Sequence, residues 1–486
     1  MKIGVNLAAS FVSKLISLMG IILFAPLYVW ALGKGGLGLI SLSGTMQNTV
    51  LSIDLGLILF SAHALASRSI EDYVIARKLI FLLAGGLFFV GAILLLILWL
   101  TESLPVSVVY FPALFLGYSM AVLQLLFAFS STCASAVGYA AIFAITSTGF
   151  NILRHLVALP IGRLFGANWF FLVFAIMMLA MVILAFVVLR RSVPQANVPV
   201  SCKTAIASFG RIFSSSSMYW IFAVVWLVAY QYDKWIFSFM LPLDRYGIYG
   251  TIANFALIPM SIVAAVAPIL LGMMTEGLRQ KNITNVLNAF LLFHRLVSTL
   301  SFLFLFVCAA VPGALLYAWF GNVDIAMTGR TYLPWVAIGC GIHFLCQPTY
   351  YLAMSRGELR QAMKRTGLIF VVAMPIAVLL CVQRQENGAA LAWVFINAAV
   401  LIFFALPYVY RTGLLHSVPE MFREYASPLV LLGGAGWFSS RFRSLPGSRL
   451  EALEMVVSAA AFGCVLGIER GWGIWKTLCR MRAAGL

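Results

Sequence analysis

Charge is what this chain of 486 residues has least of. Asp, Glu, Lys and Arg make up 10% of it, 63% is hydrophobic, and the mean hydropathy is +1.02. A soluble globular surface needs about 25% charged residues, so a soluble fold is excluded. Acids are scarcest, with 15 Asp and Glu against 32 Lys and Arg. No P-loop, GxSxG or HExxH motif occurs, nor a loop long enough to hold paired carboxylates in water. No ATP-driven engine, cofactor site or enzyme is therefore expected. The eight cysteines (133, 202, 308, 340, 346, 381, 464 and 479) are scattered, with no CxxC pair. They read as small apolar residues rather than disulfide or metal ligands.

What is present is apolar sequence in runs long enough to cross a bilayer, repeated along the whole length. This predicts an all-α polytopic membrane protein; the short alternating segments of a barrel are absent. The first run starts directly after Met1 and Lys2, with no small-residue cleavage site, and reads as a retained span. Hydropathy minima divide the chain into fourteen candidate spans, near 4–32, 38–65, 78–100, 106–130, 136–160, 167–189, 211–241, 246–273, 288–313, 331–354, 366–383, 388–410, 426–440 and 452–468. The thirteenth is short and carries Gly433, Gly434 and Gly436, so 12–14 transmembrane helices are expected. With both termini inside, the inner segments hold 20 Lys and Arg and the outer ones 8. That asymmetry is the positive-inside bias and predicts an N-in/C-in topology. Most of the net charge of +17 is thus a topology signal, and no nucleic-acid partner is expected.

The longest loop, RRSVPQANVPVSCK (190–203), falls after the sixth span and reads as a linker. The expected domains are a six-helix lobe at 1–189, a cytoplasmic linker at 190–205, a second six-helix lobe at 206–410, and two further helices with a tail at 411–486. The halves look repeated. WALGKGGLGLIS (30–41) and FMLPLDRYGIYG (239–250) align at an offset of 209, pairing Leu32 with Leu241 and Gly38 with Gly247. Asn48 and Asn254 sit at similar places. Chance similarity of two apolar hairpins is the alternative. Duplicated six-helix units belong to transporters that alternate access at the interface between repeats.

Lys14, Arg154, Lys234 and Arg295 lie inside predicted spans, whereas Asp54 and Asp233 are the acids at comparable depth. A cation at bilayer depth costs roughly 2.5–3.5 kcal/mol on the insertion scale, so such residues face a cavity, a partner or a substrate. The cationic excess points to a pathway for something anionic. Asn6, Ser10, Lys14 and Ser17 share one helical face. Arg154, preceded by Asn151, either faces a cavity or snorkels outward. Arg295 either lines the cavity or anchors at the interface. Asp233 beside Lys234 is a neutral structural pair or an ion-coupling element, with Tyr230 on the same face. Asp54, following Thr45, Asn48 and Ser52, is a proton site or the partner of a cation. His63, His155, His294 and His343 read as packing hydrogen bonders or titrating groups.

LGKGGLGLIS, SIDLGLILFSAHALASR (52–68) and QYDKWIFSFMLPLDRYGIYGTIANFALIPMSIVAAVAPIL (231–270) carry a resemblance. The chain resembles the polysaccharide transporter (Wzx-type) branch of the multidrug/oligosaccharidyl-lipid/polysaccharide flippase superfamily, over about residues 1–410. The matching positions are Asp54, Gly56, Asp233, Lys234, Gly247 and Tyr249. The resemblance implies two pseudo-symmetric six-helix bundles around a central cavity in the bacterial plasma (inner) membrane. It further implies flipping of undecaprenyl-pyrophosphate-linked oligosaccharides by alternating access for O-antigen, capsule or exopolysaccharide assembly. Implied partners are that lipid-linked anionic substrate, membrane lipids, a coupling proton or sodium ion, and glycan polymerase or chain-length proteins. The cavity cations would be Lys14, Arg154, Lys234 and Arg295, with Asn6, Ser10, Asn48 and Asn151 as polar lining. Two alternatives stand beside it. A multidrug exporter of the same superfamily usually handles cations, which a basic cavity repels. A membrane glycan polymerase or ligase tends to need a longer outer loop than any here, such as Gly321–Arg330.

Overall fold

The computed structural model describes residues 2–54, 56–66, 69–101, 108–193, 201–414, 422–439 and 446–483. Among these, every predicted span falls on helix and no strand occurs. Seven helices are long and apolar enough to cross a membrane by length and composition.

Helix α1 (Lys2–Ser52) is two spans joined at Gly33, whose φ of +73° is open to glycine and costly to other residues. Ser52 is followed by a break that ends at Gly56, φ +74°, before α2 (Leu57–Ala66). Then come α3 (Ile70–Leu100), α4 (Phe111–Ala136), α5 (Ala140–Phe165), α6 (Ala167–Ser192) and α7 (Cys202–Met240). The eighth span is also interrupted. Helix α8 (Leu243–Ala256) gives way to α9 (Met260–Arg279), with Pro259 at the N-cap of α9. Proline fits that position because the first helical N–H groups have no intrahelical acceptor.

Helix α10 (Ile283–Ala310) is followed by two short helices, α11 (Pro312–Phe320) and α12 (Val323–Gly329), where the sequence suggests an outer loop. Helix α13 (Leu333–Ser355) precedes α14 (Leu359–Val400), which contains two predicted spans joined at Gln385, φ +49°. A π-helical turn leads into α15 (Leu406–Arg411). The helix Ser427–Ser439 has 13 residues, preceded by a π-helical turn at Phe422–Ala426. The final helix is Arg449–Ala483.

The chain forms two compact units, residues 1–251 and 252–486. Helix α7, which the sequence reading places in the second lobe, packs against α1, α2 and α3 of the first unit. Much of the expected linker, 194–200, lies outside the described residues. In lipid, helices associate through close packing and hydrogen bonds rather than through apolar burial from water. The first unit shows how. Phe24, Tyr28, Leu37, Met120, Leu159, Phe170 and Phe174, from α1, α4, α5 and α6, form one buried cluster. Arg163 ties the edge of it, donating to Trp30 O at 2.9 Å with its guanidinium 4.9 Å from the Trp30 ring. In the second unit α10 and α13 bury most of their residues, Phe290, Phe293, Leu305 and Phe344 among them.

Candidate functional site

Arg154 stands on α5 inside the aromatic cluster of the first unit. Its guanidinium carbon is 4.8 Å from the centroid of Phe174 on α6. The neighbouring His155 stacks on Phe24 at 4.3 Å and meets the edge of Phe174 at 4.9 Å. Tyr28 Oη lies 2.5 Å from His155 Nδ1. Among the described residues no carboxylate pairs with Arg154, and its buried Nε has no hydrogen-bond partner. A cation inside a predicted span is normally met by an acid; here the Phe174 face supplies part of the compensation, about 0.5–2 kcal/mol for a cation–π contact. Asn151, one turn earlier, is half-buried, and Asn48 is exposed. The side chains of Asn6, Ser10 and Lys14 lie outside the described residues.

The second cation, Lys234 on α7, is 3% exposed. Its Nζ donates to Tyr230 O at 2.8 Å and lies 4.0 Å from Asp233 Oδ1. Asp233 in turn accepts the hydroxyl of Tyr249 from α8. The signature residues Asp233, Lys234, Gly247 and Tyr249 are thereby brought into one neighbourhood. The second half of α1 borders it, with Trp235 Nε1 donating to Thr49 Oγ1 at 2.9 Å and Thr45 Oγ1 lying 2.9 Å from Tyr246 Oη.

Asp54 has a structural role that the sequence reading did not include. Its two carboxylate oxygens accept the backbone N–H of Gly56 at 2.9 Å and of Ile58 at 3.2 Å. It closes the N-terminus of α2 within the broken second span, satisfying donors that have no intrahelical partner. Asp54 thus caps α2, with Gly56 supplying a left-handed φ.

Arg295, on α10 in the second unit, is neutralised. Its Nη2 reaches Glu424 Oε1 at 2.6 Å and its Nε the same oxygen at 3.1 Å. Its Nη1 donates to Thr477 Oγ1 at 2.9 Å and to Gly473 O at 3.2 Å, both on the final helix. Glu424 is 5% exposed. The sequence count of two acids at the depth of four bases omitted it, because it precedes the predicted thirteenth span. His294 Nδ1 is 3.8 Å from Glu424 Oε2. His343 is also engaged, Nδ1 at 3.0 Å from Asn397 Oδ1 and Nε2 at 2.6 Å from Gln347 Nε2. His343 thus has hydrogen-bonding partners of the kind one sequence alternative gave it, whereas His294 meets the Tyr425 ring edge-on at 4.5 Å.

Sequence reasoning missed Tyr28, Tyr246, Trp235 and Glu424. A tyrosine or tryptophan in an apolar span carries no signal of its own. The 209-residue offset would have found Tyr246, which stands directly before Gly247.

No family model and no curated protein matches the sequence. Solved structures do match in shape. The structure described as "Lipid II flippase MurJ, inward closed conformation" superposes with a TM-score of 0.67 at 14% identity, covering 97% of this chain and 99% of that one. An inward-facing multidrug resistance MATE family transporter of the MOP superfamily gives 0.57 at 13% identity, covering 83% and 98%. A MATE protein in the straight conformation gives 0.53 at 14% identity, covering 84% and 96%. The chain therefore shares the fold of these membrane transporters.

Proposed function

We propose that this chain is a carrier that flips lipid-linked anionic oligosaccharides, of the undecaprenyl-pyrophosphate class, from the inner to the outer leaflet of a bacterial plasma membrane. The movement would be alternating access, serving surface polysaccharide assembly. The observation that carries this reading is Arg154: a half-buried residue with its guanidinium 4.8 Å from the Phe174 ring, next to the Tyr28–His155 pair, with no described carboxylate beside it. A diphosphate leaving water loses hydration that fixed cations offset, and planar guanidinium suits phosphate oxygens. Aromatic faces add an amphipathic surface for sugar rings. The shared fold with a lipid flippase supports the same reading.

In this scheme Lys14 and Lys234 accompany Arg154, and Arg295 serves as a tie between helices rather than a ligand. Asp233, which lies beside the buried Lys234 and accepts the Tyr249 hydroxyl, is the acid we assign to proton or sodium coupling. The test is deletion in the native host, followed by analysis of the lipid-linked saccharides that accumulate. Complete repeat units held on the cytoplasmic leaflet are expected. Accumulation of single units on the outer final acceptor would instead assign a polymerase step, and no change in any glycan would sink the reading. A multidrug exporter is the second reading, favoured by the shape match at 0.57 to a multidrug transporter. Drug sensitivity of the deletion strain with intact glycans would select it.

A further inference from the structure

The final helix is longer than a bilayer requires. Its 35 residues rise about 52 Å at 1.5 Å each, against a hydrocarbon core of about 30 Å. Part of the surplus is the C-terminal stretch of this helix, and residues 470–486 hold Arg470, Lys476, Arg480 and Arg482 with no acid. One face of this extension is taken. Arg295 Nη1 donates to Gly473 O at 3.2 Å and to Thr477 Oγ1 at 2.9 Å. Thr477 is 2% exposed, and a Cβ built on Gly473 would sit 3.7 Å from the Arg295 side chain. Two small residues one turn apart thus let the helix lie close against α10.

The face turned away from α10 is of another kind. Trp472, Trp475, Lys476 and Cys479 follow at intervals of three, one and three residues, which puts them on one side of the helix. All four are exposed, and Lys476 Nζ stands 5.6 Å from the centroid of the Trp472 ring. Val457 and Val465, also exposed, carry the same strip into the apolar part of the helix. The tryptophans and the lysine therefore end a lipid-facing strip at the depth where hydrocarbon gives way to headgroups. Tryptophan suits that depth because its ring is apolar and its N–H is a donor. Lysine suits it because its stem lies along apolar surface while the ammonium reaches polar groups. The positive-inside bias accounts for the number of basic residues in this segment. It does not account for two exposed tryptophans and a lysine gathered on the side opposite Arg295. Anionic headgroups supply both the apolar and the charged layer that this face calls for, and a basic segment next to a span is complementary to them.

We propose that the Trp472–Trp475–Lys476 face binds the headgroups of anionic membrane phospholipids, and that this contact holds the extension on α10 and so supports the Arg295–Glu424 tie. Lipid lies on one side of these turns and the ion pair on the other. The inference is independent of what the carrier moves. Full-length protein is placed in nanodiscs of phosphatidylcholine, or of an equal mixture with phosphatidylglycerol. Exposed Cys202 and Cys464 are replaced by serine, so that an aqueous maleimide reads Cys479 within the face. Phosphatidylglycerol should raise the thermal midpoint and slow the labelling of Cys479 by about fivefold, the effect of one basic residue at an anionic surface. High salt should reverse both, because it screens exposed charge. The triple variant Trp472→Ala, Trp475→Ala and Lys476→Gln should lose both lipid effects. Lys203→Gln, which removes an exposed lysine of the other unit, is the control and should keep them. Glu424→Ala should keep the protection of Cys479 but show a smaller rise in midpoint; a rise of the same size would separate the lipid from the tie and overturn that half. Full lipid dependence in the triple variant would reduce the effect to general surface charge. Identical behaviour of the wild-type face in both nanodiscs would leave it to a protein partner. Either result overturns the proposal.

Discussion

Arg295 and Glu424, 129 positions apart in sequence, share a buried ion pair with Nη2 and Oε1 2.6 Å apart, and Arg295 extends it to Thr477 and Gly473. One side chain therefore fastens the final helix and the turn before Ser427–Ser439 onto α10. Removing one partner of a buried pair strands the other charge, at about 3–5 kcal/mol. Glu424→Ala should accordingly lower the thermal midpoint of the detergent-solubilised protein markedly. The double variant Arg295→Met with Glu424→Leu should recover most of it, because an apolar pair of similar volume leaves no stranded charge. Equal midpoints for Glu424→Ala and wild type would show that the pair holds nothing together.

Arg154→Ala is expected to abolish surface-glycan assembly while the protein stays in the membrane at its normal level. Arg154→Lys should retain part of the activity, keeping the charge but losing the planar fork. Phe174→Leu, which removes the ring 4.8 Å from the guanidinium, should reduce export by about fivefold for a cation–π contact of about 1 kcal/mol. Glycan gels and membrane immunoblots read the two quantities separately. Normal export from alanine variants of Lys14, Arg154 and Lys234 alike would end the cationic-site reading.

Asp54 and Asp233 separate by a single substitution each. Asparagine caps a helix about as well as aspartate, whereas alanine loses about 0.5–2 kcal/mol. Asp54→Asn should therefore support export close to wild type, and Asp54→Ala should lower thermal stability. Asp233→Asn should remove the dependence of transport on the ion gradient. Loss of export in Asp54→Asn with an unchanged thermal midpoint would give Asp54 a proton-carrying role instead.

Glu358, in the turn between α13 and α14, accepts the Tyr408 hydroxyl at 2.8 Å and lies 3.3 Å from Arg356 Nε. Burial pushes its carboxyl upward, but the Tyr408 hydroxyl and Arg356 outweigh that and hold it below the ordinary glutamate value. A depressed folded pKa contributes stability that is complete above the unfolded value, about 4.3. That contribution is lost as pH falls through the lower folded value. Amide exchange at 356–358 and 406–412 should hence rise below about pH 4.3, and Glu358→Gln should exchange at the faster rate throughout. A pH-independent difference between the two proteins would refute the link.

Helix positions were legible because an apolar run of about twenty residues has few other uses. The breaks were legible less evenly. Gly33 sits in a glycine-rich loop and was readable, whereas the turn around Asp54 was hidden within a continuous apolar stretch. Its capping role depends on a backbone bend that hydropathy does not record. Lys234 and Asp233 are adjacent in sequence, so their proximity was visible, but the Tyr249 hydroxyl on Asp233 needed α7 and α8 to fold together. Glu424 was missed for a comparable reason: its depth is set by docking of the final helices, not by its flanking residues.

By itself the sequence determined the class of solvent, the placement of the apolar helical runs, and the repeat linking Gly38 with Gly247. Those follow from composition and period, which act locally along the chain. Only the tertiary structure decided which charges are met. It gave Arg295 an acid, set Arg154 among aromatic rings, turned Asp54 into a cap, and placed repeat-equivalent glycines against each other. Charge compensation in a low-dielectric interior depends on distances of a few ångströms between helices, and a linear pattern fixes no such distance.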